Sequence, residues 1–209
     1  MKKLVSKYLR MHKSFLIFLI LTITLIGCKE ESSVGLPKPR MYPRIFYPES
    51  GNYTKFDTTF CSFTFKYPAY SKIVQDSFYF QDTPLHPCWF NINIPALNAT
   101  LHCSYYNIDQ KKSLSSLVND AFEIAGKHNI KANYRRESVL DNRYGVKGIM
   151  FEIDGPVASP AQFYLTDENK HFFRASLYFN SKVNPDSTAA VLAFLKPEID
   201  TILSTFQWK

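Results

Sequence analysis

Glycine is scarce in this chain, seven in 209 residues, and nowhere do the glycines form a phosphate-cradling loop. There is no Gly-x-Ser-x-Gly elbow, no His-Glu-x-x-His and no Cys-x-x-Cys, so no recognised catalytic or metal-binding motif is present. That weighs only lightly against catalysis, because triads are set by geometry. A hydrophobic run long enough to cross a membrane is also missing. The run Phe15 to Ile26 would cover about 18 Å as a helix, against a hydrocarbon core of roughly 30 Å. Basic tracts are absent beyond the start of the chain. Five of the positive charges lie in residues 1–27, which hold no Asp or Glu, so the formal net charge of +7 falls to +2 for the remainder. Arg135-Arg136 is a pair rather than a patch, and nucleic acid is not an expected partner.

What the chain does have is a basic start (Lys2, Lys3, Lys7, Arg10, Lys13), the short apolar core, and then Leu25-Ile26-Gly27-Cys28. That order describes an export signal. A cysteine after Gly27 makes it a lipobox: Cys28 is expected to be diacylated on sulfur, the chain cut before it, and the new amino terminus acylated. Several acyl chains make a stable anchor where a single chain binds only reversibly. Residues 1–27 are thus read as a lipoprotein signal peptide, 28–41 as lipidated Cys28 and an extended tether with Pro37 and Pro39, and 42–209 as a single folded domain. No Asp follows Cys28, which favours outer-membrane delivery, with the periplasmic face preferred over the cell surface. Lys29-Glu30-Glu31 also resembles a surface-export signal, and equally suits a solvated tether.

Sixteen Phe and twelve Tyr after residue 27 mark the remainder as globular and lean it toward sheet. Strands are expected at 44–47, 61–67, 74–80, 88–94 and 100–106, the last two as a hairpin. Period-two alternation places Cys61, Cys88 and Cys103 on core-facing positions. Three cysteines allow at most one bridge and leave one thiol. Ser113 caps an expected helix to about Lys127 with the stripe Leu114, Leu117, Val118, Ala121 and Ala125. Strands at 130–139, 144–153, 161–166 and 171–179 follow through short turns as an antiparallel meander. Asn184-Pro185 opens a closing helix, which Pro197 is expected to kink or restart. The fold class is α+β, an antiparallel sheet flanked by helices.

Chemistry has few candidates. His86, Cys88, His102 and Cys103 have metal-ligand chemistry, but His102 and Cys103 point to opposite faces of a strand, so no metal site is expected. Glu152 and Asp154 share a strand face near Asp167 and Glu168 in sequence, as a glycoside hydrolase would need; solvated acids are the commoner reading. Trp89 and Trp208, read as exposed, would suit a glycan-binding surface. No catalytic residues, cofactor or small-molecule substrate are expected.

The order lipobox Cys28, Pro37-Lys38-Pro39-Arg40, Phe65-Lys66-Tyr67-Pro68, Cys88-Trp89-Phe90-Asn91-Ile92, Gln162-Phe163-Tyr164-Leu165-Thr166-Asp167 and Phe206-Gln207-Trp208-Lys209 resembles the gliding-motility lipoprotein family called GldD. The resemblance implies a non-catalytic, membrane-anchored protein required for assembly or stability of the gliding machinery and its coupled secretion system, with proteins of that machinery as partners. It also implies a bridge between Cys61 and Cys88. Separately, Phe63 to Pro68 and the two helices look similar to Mog1/PsbP-type α/β/α sandwiches. An envelope hydrolase or a glycan-binding module is the alternative.

Overall fold

Ten strands and two long helices make up the part of the chain that a computed structural model describes, residues 44–75 and 86–209. Seven strands form one antiparallel sheet: β3 (Lys72–Gln75), β4 (Phe90–Ile94), β5 (Ala99–Asn107), β6 (Tyr134–Asp141), β7 (Lys147–Asp154), β8 (Ala161–Thr166) and β9 (His171–Phe179), in the order β3-β4-β5-β9-β8-β7-β6. The meander β6 to β9 is the antiparallel run that the short turns imply. A second sheet of three strands contains β1 (Tyr53–Asp57), β2 (Phe63–Pro68) and β10 (Gln207–Trp208), in the order β1-β2-β10. The class is α+β as the sequence indicates, with this small sheet as the added feature.

Alternation decides which side chains meet. In β7, Phe151 and Ile153 face helix α1 (Leu114–Gly126), whose Leu117, Ala121 and Ala125 pack on them with Tyr164 and Phe172. Met150, one residue out of phase, joins the opposite core. That larger core holds Val191, Leu195, Ile199 and Ile202 of helix α2 (Pro185–Thr205) together with the small sheet. Its centre is aromatic: Phe63 lies 5.3 Å from Phe206 and 5.1 Å from Phe173, and Phe65 stacks 4.9 Å from Phe56. Each such pair contributes about 1 kcal/mol beyond the area it buries. Helices therefore cover both faces of the main sheet.

Three expectations are corrected, and a fourth lies partly outside the described residues. Residues 44–47 are extended but unpaired; Ile45 packs on the core and Tyr47 lies 4.8 Å from Phe194. The first strand is instead Tyr53–Asp57, whose one buried residue, Phe56, gives too weak a period to read. The strand expected at 74–80 is described only as Lys72–Gln75, and 76–80 lie outside the described residues. The strand placed at 130–139 starts at Tyr134, because residues 128–132 form turns with three-residue hydrogen bonds and Ile130 is 91% exposed. Helix α2 runs unbroken through Pro197, which sits on its exposed side where the missing N–H bond falls toward water.

Lys209 ties the small sheet shut. Its Nζ donates to Asp57 Oδ1 at 2.6 Å and to Thr58 O at 2.6 Å, while Lys55 Nζ donates to Asp57 Oδ2 at 2.7 Å. The hydrogen bonds from Lys209 and Lys55 bring the Asp57 carboxyl down to about 2. Its folded value lies below its unfolded one, so its contribution is present above about pH 4 and is lost as pH falls through about 2. Asp57→Asn is expected to speed hydrogen exchange at Gln207 and Trp208 at neutral pH, with little change in the main sheet.

Candidate functional site: a cleft beside the second helix

A cleft of about 490 Å³ lies between the β6–β7 turn and the carboxyl-terminal half of α2. Leu140, Val146, Leu165 and Leu203 line it with apolar surface, and Asp141, Arg143 and Asp200 with charge. A smaller recess of about 120 Å³ shares Arg143 and Thr205 with it and adds Lys55, Lys66 and Tyr144. Arg143 lies over the Tyr144 ring at 4.7 Å. Burial, reinforced by the Glu152 charge, raises the Asp200 carboxyl above its ordinary value, against the opposing pull of Lys196. The opening is thus apolar at its base and basic toward the small sheet.

Asn142 builds this cleft. Its Nδ2 donates to Leu203 O and Phe206 O, both at 2.9 Å, and its Oδ1 accepts from Tyr144 N at 3.0 Å and Val146 N at 3.2 Å. One side chain therefore closes the hairpin turn and satisfies carbonyls at the end of α2, which lacks a left-handed cap. Asn142→Ala is expected to cost about 2 kcal/mol, because the buried acceptors lose their donor. Urea unfolding checks this, with Asn142→Asp failing to rescue since a carboxylate cannot donate.

The structure joins Cys61 to Cys88 in a disulfide with Cα atoms 5.7 Å apart, and leaves Cys103 a buried free thiol. Beside the bridge, Tyr105 donates its hydroxyl proton to Asn107 Oδ1 at 2.8 Å and lies 2.6 Å from His171 Nδ1. His86 meets the Tyr105 ring edge-on at 4.7 Å, and Trp208 stacks on His171 at 5.2 Å. Burial lowers both histidines below their ordinary value. A folded-state value below the unfolded one means the unfolded chain binds protons first, so stability is greatest above about pH 6.5 and falls on acidification. Urea midpoints should drop between pH 7.5 and 5.5, and His171→Gln should flatten that dependence.

The other sequence candidates are dispersed. Cys88 is spent in the bridge, His102 Nδ1 lies 2.7 Å from Asn91 Oδ1, and Cys103 is buried. Among the described residues no group of three or more His, Cys, Asp or Glu is placed to hold a metal. Glu152 binds Lys196 at 2.6 Å and Arg136 at 3.6 Å, and Asp154 accepts from Asn133 at 2.9 Å. Asp167 caps the β8–β9 turn by accepting from three backbone N–H groups, and Glu168 pairs with Lys147 at 2.7 Å. Glu152 is opposite Ala161, at the far end of β8 from Asp167, a separation of about 20 Å along the strand. The two acidic pairs therefore do not meet as hydrolase partners. Trp89 is not exposed: it is 4% accessible and its indole donates to Tyr105 O at 2.7 Å. Trp208 is half-buried. Cys28 lies outside the described residues.

A sheet covered by a helix on each face, with a cleft beside α2, defines an α+β sandwich. Residues 32–208 match the family model for the gliding motility lipoprotein GldD, and the chain belongs to that family. The solution structure of cyanobacterial PsbP (CyanoP) from Synechocystis sp. PCC 6803 is similar at 15% identity and a TM-score of 0.43, covering 78% of this chain and 98% of that one. A search of curated proteins found no match.

Proposed function

We propose that the chain is a non-catalytic lipoprotein that holds a binding body at the cell envelope and serves assembly or stability of the gliding machinery and its coupled secretion system. The observation that carries this reading is the family match over 32–208, directly behind the lipobox that ends at Cys28. In this reading residues 1–27 are removed, Cys28 carries the lipid at the periplasmic face of the outer membrane, 28–41 are tether and 42–209 fold as one domain. A lipid anchor confines the body to a thin layer, which raises its local concentration at membrane-bound partners.

The cleft supports a specific kind of partner. An apolar side chain set over Leu140, Val146 and Leu203, next to a carboxylate directed at Lys66 and Arg143, matches both the base and the charged side. Purification from membranes is expected to recover components of the gliding machinery with the unaltered protein. Recovery should fall at least about tenfold with Arg143→Glu combined with Lys66→Glu, both exposed positions. A stably folded double variant that recovers the same partners in the same amount would overturn the cleft's role.

A further inference from the structure

Among the described residues the seven-stranded sheet ends on β6, which pairs there only with β7 and leaves eight residues of backbone edge, Tyr134 to Asp141, without a further strand. An edge of that length presents a row of N–H and C=O groups that can template another strand. Tyr134 and Val139 on it are 54% and 84% exposed. Nothing about β6 is flattened into a purely apolar edge, however: Arg135, Arg136, Glu137 and Asp141 punctuate it. Such charges discourage indiscriminate pairing and permit pairing only where they complement each other.

We propose that β6 is the seam of a homodimer, pairing antiparallel with β6 of a second copy so that Ser138 faces Ser138 across the two-fold axis. Outward-facing backbone groups alternate along a strand, so two identical edges hydrogen-bond only in registers that keep one residue of β6 opposite itself. Centring on Arg136 sets Arg136 against Arg136, and centring on Glu137 sets Glu137 against Glu137. Centring on Val139 sets Glu137 against Asp141. Each of these places like charges directly opposite one another, which destabilises a sheet. Centring on Ser138 places Arg135 against Asp141 at both ends and Glu137 against Val139, with no like-charge pair. Arg135 already holds Glu137 of its own strand at 2.7 Å, and on the same face it would meet Asp141 of the second copy.

The tether fits this symmetry. The described chain begins on the α2 side of the sheet, where Tyr47 packs on Phe194 and Ile45 on the α2 core. A two-fold axis normal to the sheet keeps both α2 sides facing the same way. Both copies then begin on the same side of the paired sheets, and sixteen residues from Cys28 can span at most roughly 50 Å. A seam of one strand pair is small beside the about 1,600 Å² of a stable complex, so the membrane's confinement supplies the concentration that affinity alone does not. This last step rests on the anchoring proposed above.

Single cysteines introduced into the full-length protein test the seam. In membranes prepared without reductant, Ser138→Cys is expected to give a disulfide-linked dimer at least about tenfold more abundant than Glu137→Cys or Val139→Cys. Adding Asp141→Arg to Ser138→Cys should reduce that dimer about tenfold, and Arg135→Asp with Asp141→Arg should restore it. Ser138→Cys that stays monomeric, crosslinks no better than its neighbours, or links to a different protein overturns the proposal. Palmitate labelling of the same membranes reads the anchor separately: labelled monomer rejects the seam alone, and unlabelled dimer rejects the anchor alone.

Discussion

Replacing both Cys61 and Cys88 by alanine is expected to lower the stability of the body by about 3.5 kcal/mol, the loop-closure entropy for a bridge of this span. The two sulfurs link residues 27 apart in sequence and join the entry of β2, in the small sheet, to the entry of β4, in the main one. The bridge limits the conformations open to the unfolded chain between the two cysteines, which is the source of the stabilisation. Both cysteines are buried, and alanine leaves no unsatisfied polar atom in their place. For a body of this size the loss corresponds to a fall of roughly 7–14 °C in Tm. Calorimetry of the double variant beside the parent checks it. A Tm within about 2 °C of the parent would show that the bridge contributes little.

Gly148→Ala is expected to be of similar severity. Gly148 lies in β7 between Leu140 of β6 and Leu165 of β8. A Cβ placed there would stand 1.9 Å from the Tyr164 carbonyl oxygen and 2.9 Å from its carbonyl carbon. The obstacle is backbone in a central strand, so relief requires the ladder itself to part. Glycine in a strand commonly marks such a close approach. The expected cost is on the order of 3 kcal/mol or more, and soluble yield and urea midpoint would both show it. Gly145→Ala is the contrast. Its backbone has a φ of +71° but no atom lies within 4 Å of the new Cβ, so only the left-handed strain of about 1 kcal/mol is expected.

Much of this fold is legible in the sequence wherever local pattern and environment agree. Residues 161–166 and 171–179 are strands on either side of the Asp167-Glu168-Asn169-Lys170 turn, as that turn chemistry implies. Ser113 accepts from Ser116 N at 3.3 Å as the helix cap. What escapes is decided by distant neighbours. The strand Tyr53–Asp57 has a single buried residue, and its pairing with β2 gives it strand structure. Gln207–Trp208 is too short for a period and pairs only because Phe206 is drawn into the aromatic core. Trp89 reads as exposed because alternation turns its neighbours Cys88 and Phe90 inward. With both faces covered, its indole lies 5.3 Å from Tyr106, inside the protein.

The cleft was hidden for the same reason. Asn142 is recognisable as a turn residue, but its bonds to Leu203 and Phe206 cross more than sixty positions. No spacing rule reports a contact of that kind. Lys66 and Arg143 are unremarkable in sequence and approach a common recess only through the packing of the two sheets. The lipobox is the reverse case, a short local signal whose meaning does not depend on the fold.

Everything proposed about where this protein acts depends on the sulfur of Cys28. The decisive measurement is palmitate labelling with membrane fractionation of the parent and of Cys28→Ser, scored alongside gliding. The account predicts a labelled, membrane-bound parent, and an unlabelled variant that leaves the membrane fraction and no longer supports movement. A Cys28→Ser protein that stays with the membrane and sustains normal gliding would contradict it.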